Sequence, residues 1–563
     1  MQVKFLLKNV LLIAMLATSA VTATFAQTKK PVKQIGGPGI DSLITKNTTW
    51  SCDTIYYLNG KIYVTSGAEL TIKAGTVIMG DSLNKGSLII TKGSKIHAVG
   101  TPTCPIVFTS AKAPNKRARG DWGGLILLGK SSINQPGGLA NIEGIAPGPL
   151  SEYGGGLTPD VNDNSGELSF VRVEFAGVAL SLNNEINGIT FGGVGAGTLV
   201  DYVQVSYSND DSFEWFGGTV NAKHLIAFRG LDDDFDTDNG YSGKLQFGIG
   251  ARDPLVADIS GSNGFESDND ASGSLNTPQT RATFSNFTIS AGADSATNSL
   301  YRQGAQIRRN SHMNLYNSIL MGYPTGLNMD GTTTQNNVTA DTMVEHNILG
   351  VKYAPKNVVT TSPSGTTSII NLLNAGGGAD NRFFTGNAQI LLSNPYNLNN
   401  PKFSPGAGSP ALSGAKFNET ALAGGFFTPT TYVGAMGKGA AANWATTWVN
   451  FKPTATVYTA LCICSSAFVA NSTEEAIAAE PVQSVSVYPN PARGVFKVSL
   501  NGFTGGVNVK VTNLSGAVVY NKQSSVTAKS VLSVSLNNAP AGLYFVTVSN
   551  GAKTVTQKIN VIQ

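Results

Sequence analysis

Asp210-Asp211-Ser212-Phe213-Glu214 and Asp232-Asp233-Asp234-Phe235-Asp236 are one five-residue pattern written twice, 22 residues apart. The same shift lays Val203 on Leu225, Val205 on Ala227 and Gly218 on Gly240. Phe265-Glu266 repeats the aromatic-acid pair 30 residues further on, as though one unit carried an insertion. A period near 22 suits one coil of a parallel β-helix, in which a turn cannot bury its own apolar face and must stack on its neighbours. A propeller blade needs roughly 40 to 45 residues, and a leucine-rich repeat shows its own Leu/Asn signature. The repeat predicts an all-β fold, a right-handed parallel β-helix.

The flanking sequence agrees. Ile55-Tyr56-Tyr57-Leu58, Lys61-Ile62-Tyr63-Val64, Leu88-Ile89-Ile90 and Ile106-Val107-Phe108 are short β-prone runs separated by Gly, Asn and Asp turns. No convincing helical period of helix length intervenes. The helix is expected over residues 48–453 with a closing cap around Trp444 to Phe451, after a lead-in at 27–47. Residues 454–483, rich in Ala, Ser and Thr, read as a linker. The chain has 563 residues, a net charge of +4 and only 13% charged residues, with 64 glycines. That composition argues against long helical arrays, and the lack of a Lys/Arg run or basic stripe argues against nucleic acid as a partner.

The two ends carry export signals. Lys4 and Lys8 precede the apolar run Val10 to Ala17, and Thr24-Phe25-Ala26 offers a small-residue cleavage site. Residues 1–26 are thus expected to be a signal peptide cut between Ala26 and Gln27. The apolar run is too short for a transmembrane anchor, and no later stretch is long enough to span a membrane. At the other end, residues 484–563 show about seven alternating runs, such as Val507/Val509/Val511 and Tyr544/Val546/Val548, which predict a small immunoglobulin-like β-sandwich.

This C-terminal module resembles the type A sorting domain of the type IX secretion system. The carriers are Tyr488-Pro489-Asn490-Pro491 with Gly494, Asn513-Leu514-Ser515-Gly516, Gly542-Leu543-Tyr544 and the terminal Lys558-Ile559. The resemblance implies that the type IX machinery is a partner and that the cargo passes through the periplasm to the outside. It also implies that the cargo is secreted or left on surface lipopolysaccharide at the outer face of the outer membrane. The cargo itself resembles exported β-helix proteins with a pectate-lyase-like fold. Gly120-Asp121-Trp122-Gly123-Gly124, Val171-Arg172-Val173-Glu174-Phe175-Ala176-Gly177 and Asp236-Thr237-Asp238-Asn239-Gly240-Tyr241 carry that likeness, and Gly408-Ser409-Pro410-Ala411-Leu412 resembles its closing coils.

Eight carboxylates crowd residues 210–238: Asp210, Asp211, Glu214, Asp232, Asp233, Asp234, Asp236 and Asp238. Equivalent acids on adjacent coils would lie about 4.8 Å apart, where two unscreened charges repel by ~1 kcal/mol in water and by more near a protein surface. Two alternatives follow: a Ca²⁺ ion held by oxygen ligands, or a solvated acidic ladder with no fixed ion. Lys223, Arg229 and Lys244 are candidate bases for the proton abstraction of a Ca²⁺-dependent polysaccharide lyase; the alternative is that they neutralise neighbouring acids. Trp122, Trp215, Tyr241 and Tyr323 read as coil-stacking core rather than a sugar platform. The histidines 97, 224, 312 and 346 show no metal-ligand spacing. Cys52 and Cys104 are a disulfide pair candidate suited to an oxidising route, whereas Cys462 and Cys464 are too close for an ordinary mutual bond. The expected function is a non-catalytic surface protein that binds glycans or adheres to a neighbouring surface, with the lyase as the alternative.

Overall fold

In the computed structural model the repeated strands lie in register. Phe213 pairs with Phe235 and Glu214 with Asp236, Val203 with Leu225 and Val205 with Ala227, and Phe235-Asp236 with Phe265-Glu266 across the longer coil. The structure describes residues 30–459 and 484–562, except 182–183, 294–297, 341–342, 351–358, 363–370, 374–378, 502, 528, 537–538 and 551–553. The expected signal peptide and its cleavage site, and Cys462 and Cys464, lie outside the described residues. Among those described, two long parallel sheets of 17 and 11 strands form a β-helix. Gly218 and Gly240, matched by the repeat, both have positive φ, at 88° and 86°. A Cβ on either would come within 2.4 or 2.5 Å of a carbonyl oxygen, of Val194 and Pro278 respectively. Glycine is therefore required at both turns.

Stacking inside the coil explains why the register holds. Phe213 lies 5.5 Å from Phe235 with rings 9° apart, and Phe235 lies 5.6 Å from Phe265. Trp122, Trp215, Tyr241 and Tyr323 are all buried as core. Each fully buried large apolar side chain contributes roughly 1.5–3 kcal/mol. A slip by one residue would turn Phe213 out and Glu214 in.

Strands Gly166–Glu174, Leu199–Ser206, Asn221–Phe228, Lys244–Ala251 and Thr283–Ser290 each turn a corner of the coil. Their corner residues Phe170, Tyr202, His224, Phe247 and Asn286 have φ between 51° and 64°, a left-handed conformation that non-glycine residues seldom adopt. Stacking offsets its cost: Phe170–Tyr202, Tyr202–His224 and His224–Phe247 are 4.4, 4.2 and 5.2 Å apart with rings within 12° of parallel.

Several expected boundaries move. Val32–Gly36 already pairs with Ile55–Asn59, so the lead-in is the first coil; its mostly exposed strand lacked the apolar alternation that would have revealed it. A nine-residue helix, Thr332–Ala340, interrupts the strands. The segment after Phe384 does not cap the end. It runs back along the outside of the larger sheet as a strap. Val433 and Ala411 pack on Ile319 and Ile348, Ala435, Met436 and Trp448 on Ile226 and Ile249, and Tyr458 on Ile55, Val77 and Val107. Paired amide bonds fasten it: Gln204 with Asn450 and Gln246 with Thr428. The cargo therefore stays packed through Tyr458, inside the expected linker, because Tyr458 is buried and its hydroxyl donates to Glu174.

The second unit consists of a three-stranded and a four-stranded antiparallel sheet around Phe496, Val509, Val511, Val546 and Ile559, as a small sandwich requires. In it, Asn490 of the sorting motif accepts from the Asn560 N–H at 2.8 Å and donates to the Lys558 carbonyl, tying Tyr488-Pro489-Asn490-Pro491 to the last strand. Gly494 has φ 69°, Gly542 opens a strand, and the Tyr544 hydroxyl donates to the Pro540 carbonyl. In the cargo, Cys52 and Cys104 are both disulfide-bonded, and no described cysteine is free.

Candidate functional site

The strands Phe213–Phe216, Phe235–Asp238 and Phe265–Ser267 each open on an inward Phe followed by an outward acid, so Glu214, Asp236 and Glu266 stack in one column on the outside of the smaller sheet. Three residues earlier in each coil, Asn187, Asp211, Asp233 and Asn263 stack in the preceding turn. Three of them cap the next coil: Asp233 N–H donates to Asp211 Oδ1 at 2.7 Å, Asn263 N–H donates to Asp233, and Gln303 N–H donates to Asn263 Oδ1 at 3.1 Å.

The two columns converge. One carboxylate oxygen from each of Asp211, Glu214 and Asp236 lies within 4.8 Å of the others, and Asp210, Asp211 and Asp232 form a second such group sharing Asp211. Asp211 and Glu214 are each only 7% exposed. Asn187, which is 1% exposed, donates its amide to Glu214. Asn187 Oδ1, Asp232 Oδ1 and Asp236 Oδ1 are buried and have no hydrogen-bond partner. Unpartnered buried oxygens are costly, and here they border a group of clustered carboxylates.

The electrostatics follow from the stacking. Burial first, then Asp233 and Asp210, raise the Asp211 carboxyl well above its usual range. Burial, Glu143 and Asp236 do the same to Glu214, and burial with Glu266 to both Asp233 and Asp236. Asp232 is pushed up to about 8, and Asp238 and Glu266 to about 7, with burial the largest cause in each. Such a site holds protons, or a cation in their place.

Not every acid of the window belongs to it. Asp234 turns away and forms a wholly buried pair with Arg252 at 3.1 Å, so residues 210–238 are not one continuous acidic surface. Nor does the structure bring the three candidate bases into the cluster. Lys223 donates to Thr428 Oγ1 at 3.0 Å and lies over Phe426, Lys244 donates to the Ala423 carbonyl, and Arg229 pairs with Asp253 beside Tyr207. The strap that occupies both lysines left no periodic signal in the sequence. Arg308 and Arg309, adjacent in the sequence and readable there as an anionic-sugar grip or a solvated turn, are the cations at this face: Arg308 bonds Glu266 and, at 2.8 Å, Asp268, while Arg309 reaches Asp268 at 2.7 Å. Burial would lower the Arg308 guanidinium, but Glu266 and Asp268 carry it above its ordinary value, which holds its proton and makes it a poor base.

Residues 42–386 match the family described as a pectate-lyase-like β-helix domain, over more than half of the sequence. The chain belongs to this family. Residues 486–563 match the secretion system C-terminal sorting domain, which marks the cargo for export by the type IX route. PorZ of Porphyromonas gingivalis, an essential bacterial surface component of the type IX secretion system, is 30% identical over 14% of this chain and 12% of its own, at a TM-score of 0.12. The enzymatically active domain of bacteriophage CBA120 tailspike protein 2 is 12% identical, with 90% of this chain and 72% of its own covered at a TM-score of 0.22. The full-length tailspike is 11% identical, at the same TM-score and 64% of its length. The chain thus spans about an eighth of PorZ, and the tailspike likenesses are too weak to bear on function. No curated protein matches. Among the described residues no helix is long and apolar enough to cross a membrane.

Proposed function

We propose that this exported β-helix is a non-catalytic cell-surface protein that binds Ca²⁺ on its acidic face and, through the ion, a glycan or a neighbouring surface. The observation carrying it is the convergence of Asp211, Glu214 and Asp236, with buried unpartnered oxygens of Asn187 and Asp236 at its border. A hard cation taking six to eight oxygens suits that donor set, and it would replace the protons the raised carboxyls otherwise hold. The lyase alternative needs a base at the site, and Lys223, Arg229 and Lys244 are engaged elsewhere. The sorting domain supports display on surface lipopolysaccharide or release after passage through the outer membrane.

The test uses the mature protein in chelator and in millimolar Ca²⁺. Binding to the folded state alone raises its melting temperature by at least about 2 °C, and Ca²⁺ makes it retain on immobilised polysaccharide. A calcium-insensitive melting curve leaves only the solvated ladder, and unsaturated products from a uronate polymer would overturn the non-catalytic assignment.

A further inference from the structure

A second group of metal-binding side chains lies on the other sheet, where the strap meets the late coils. His346 is a corner residue in the column that runs Asn286, Asn317, His346, Asp380, with φ of 60°, 52°, 60° and 52°. Its two predecessors each tie the strap down. Asn286 Nδ2 donates to Thr430 Oγ1 at 3.1 Å and to the Tyr432 carbonyl. Asn317 and Lys416 exchange a reciprocal pair of bonds at 2.8 and 2.9 Å. His346 occupies the same place on the next coil and makes no such tie. It is 5% exposed, and neither ring nitrogen has a hydrogen-bond partner.

Carboxylates face it instead. His346 Nε2 lies 3.6 Å from Glu345 Oε2 and 3.6 Å from Glu419 Oε1, and the three donor atoms lie within 4.8 Å of one another. Those separations are too long for hydrogen bonds. They are close to the edge of a tetrahedron with bonds of about 2.05 Å, which is about 3.3–3.4 Å. Glu345 is buried and belongs to the coil, and Glu419 belongs to the strap. On the far side of the ring, Nδ1 lies 3.8 Å from Asp380, which pairs with Lys416 at 2.5 Å. A shallow pocket of about 500 Å³, lined by His346, Asp380, Arg382 and Lys416 among others, opens beside the group.

We propose that Glu345, His346 and Glu419 bind one Zn²⁺ ion, which clasps the strap to the β-helix where the amide ties give out. One imidazole nitrogen and two carboxylate oxygens are a zinc donor set with the fourth position open to water. The same set is wrong for Ca²⁺, which takes oxygen ligands.

Co²⁺ is the probe, titrated into metal-stripped mature protein. The expected result is the intense visible absorption of tetrahedral Co²⁺, displaced by one equivalent of Zn²⁺, with Zn²⁺ also slowing proteolysis of the strap around residue 419. Glu419→Gln, on the partly exposed strap, should weaken Co²⁺ binding at least tenfold while leaving the circular dichroism unchanged, and His346→Ala should abolish the band. Asp233→Asn with Asp236→Asn should leave it intact, which separates this ion from any bound at the acidic face. Absence of a tetrahedral band in folded wild-type protein overturns the proposal. So does a band that survives both Glu419→Gln and His346→Ala.

Discussion

The acidic face has two ends built from the same column of residues, and they meet opposite fates. At one end Asp211, Glu214 and Asp236 crowd together. One coil on, Glu266 and Asp268 meet Arg308 and Arg309. In a β-helix each outward position faces its equivalent one coil away at about 4.8 Å, so a repeated acid makes its own repulsion. An arginine introduced in a later coil partly relieves one end, although burial still holds Glu266 raised. The other keeps raised carboxyls and buried, unpartnered oxygens. Charge on this scaffold is therefore a property of coil-to-coil neighbours rather than of local composition.

Removing the arginine should break the contrast. Arg308→Ala leaves Glu266 and Asp268 without their main partner and should cost ~2–3 kcal/mol. That is less than the ~3–5 kcal/mol of a fully buried pair, because the Arg308 side chain is 27% exposed. Chemical denaturation measures the loss, and millimolar Ca²⁺ should recover part of it if the two ends become alike. A loss that Ca²⁺ does not touch would show that Arg308 matters for packing alone.

The opposite change sharpens it. Asp233→Asn with Asp236→Asn removes like charge but keeps the oxygen that accepts from Asn263 N–H. In chelator this variant should be more stable than the wild type by about 1 kcal/mol. In Ca²⁺ the order should reverse, because the variant has lost ligands. Paired melting curves that never cross would refute the cation assignment.

The smallest effect is the pH dependence of the chelated protein. Asp232 sits at about 8 and Asp238 and Glu266 at about 7 in the folded state, against roughly 4 in an unfolded chain. The folded state then binds protons more tightly, so the stability from these groups is full at acid pH and falls as pH rises from about 4 to about 8. Ca²⁺ should flatten the upper part of that fall. A melting temperature that rises across the window in chelator would contradict the raised carboxyls.

Much of this was legible in residue order. Phe213, Phe235 and Phe265 with their following acids announced the coil, the register and the outward column, because side-chain direction alternates strictly along a strand. Asp234 shows the limit. It sits in the same acidic run as Asp233, but the turn points it at Arg252 in the interior. Apolar residues on both faces, as in Leu225-Ile226-Ala227-Phe228, are a signal not read above that the outside of the larger sheet is covered. They could not say by what.

The sequence by itself determined the β-helix, the pairing of its coils and the export route, since these rest on periods and motifs contained in contiguous residues. Only the tertiary structure decided which acids share a site, that Arg308 serves one end of the face, that the strap engages Lys223 and Lys244, and that Glu419 arrives beside His346. Those contacts join residues tens to hundreds of positions apart. Insertions of unequal length separate them, so no sequence spacing records which side chains meet.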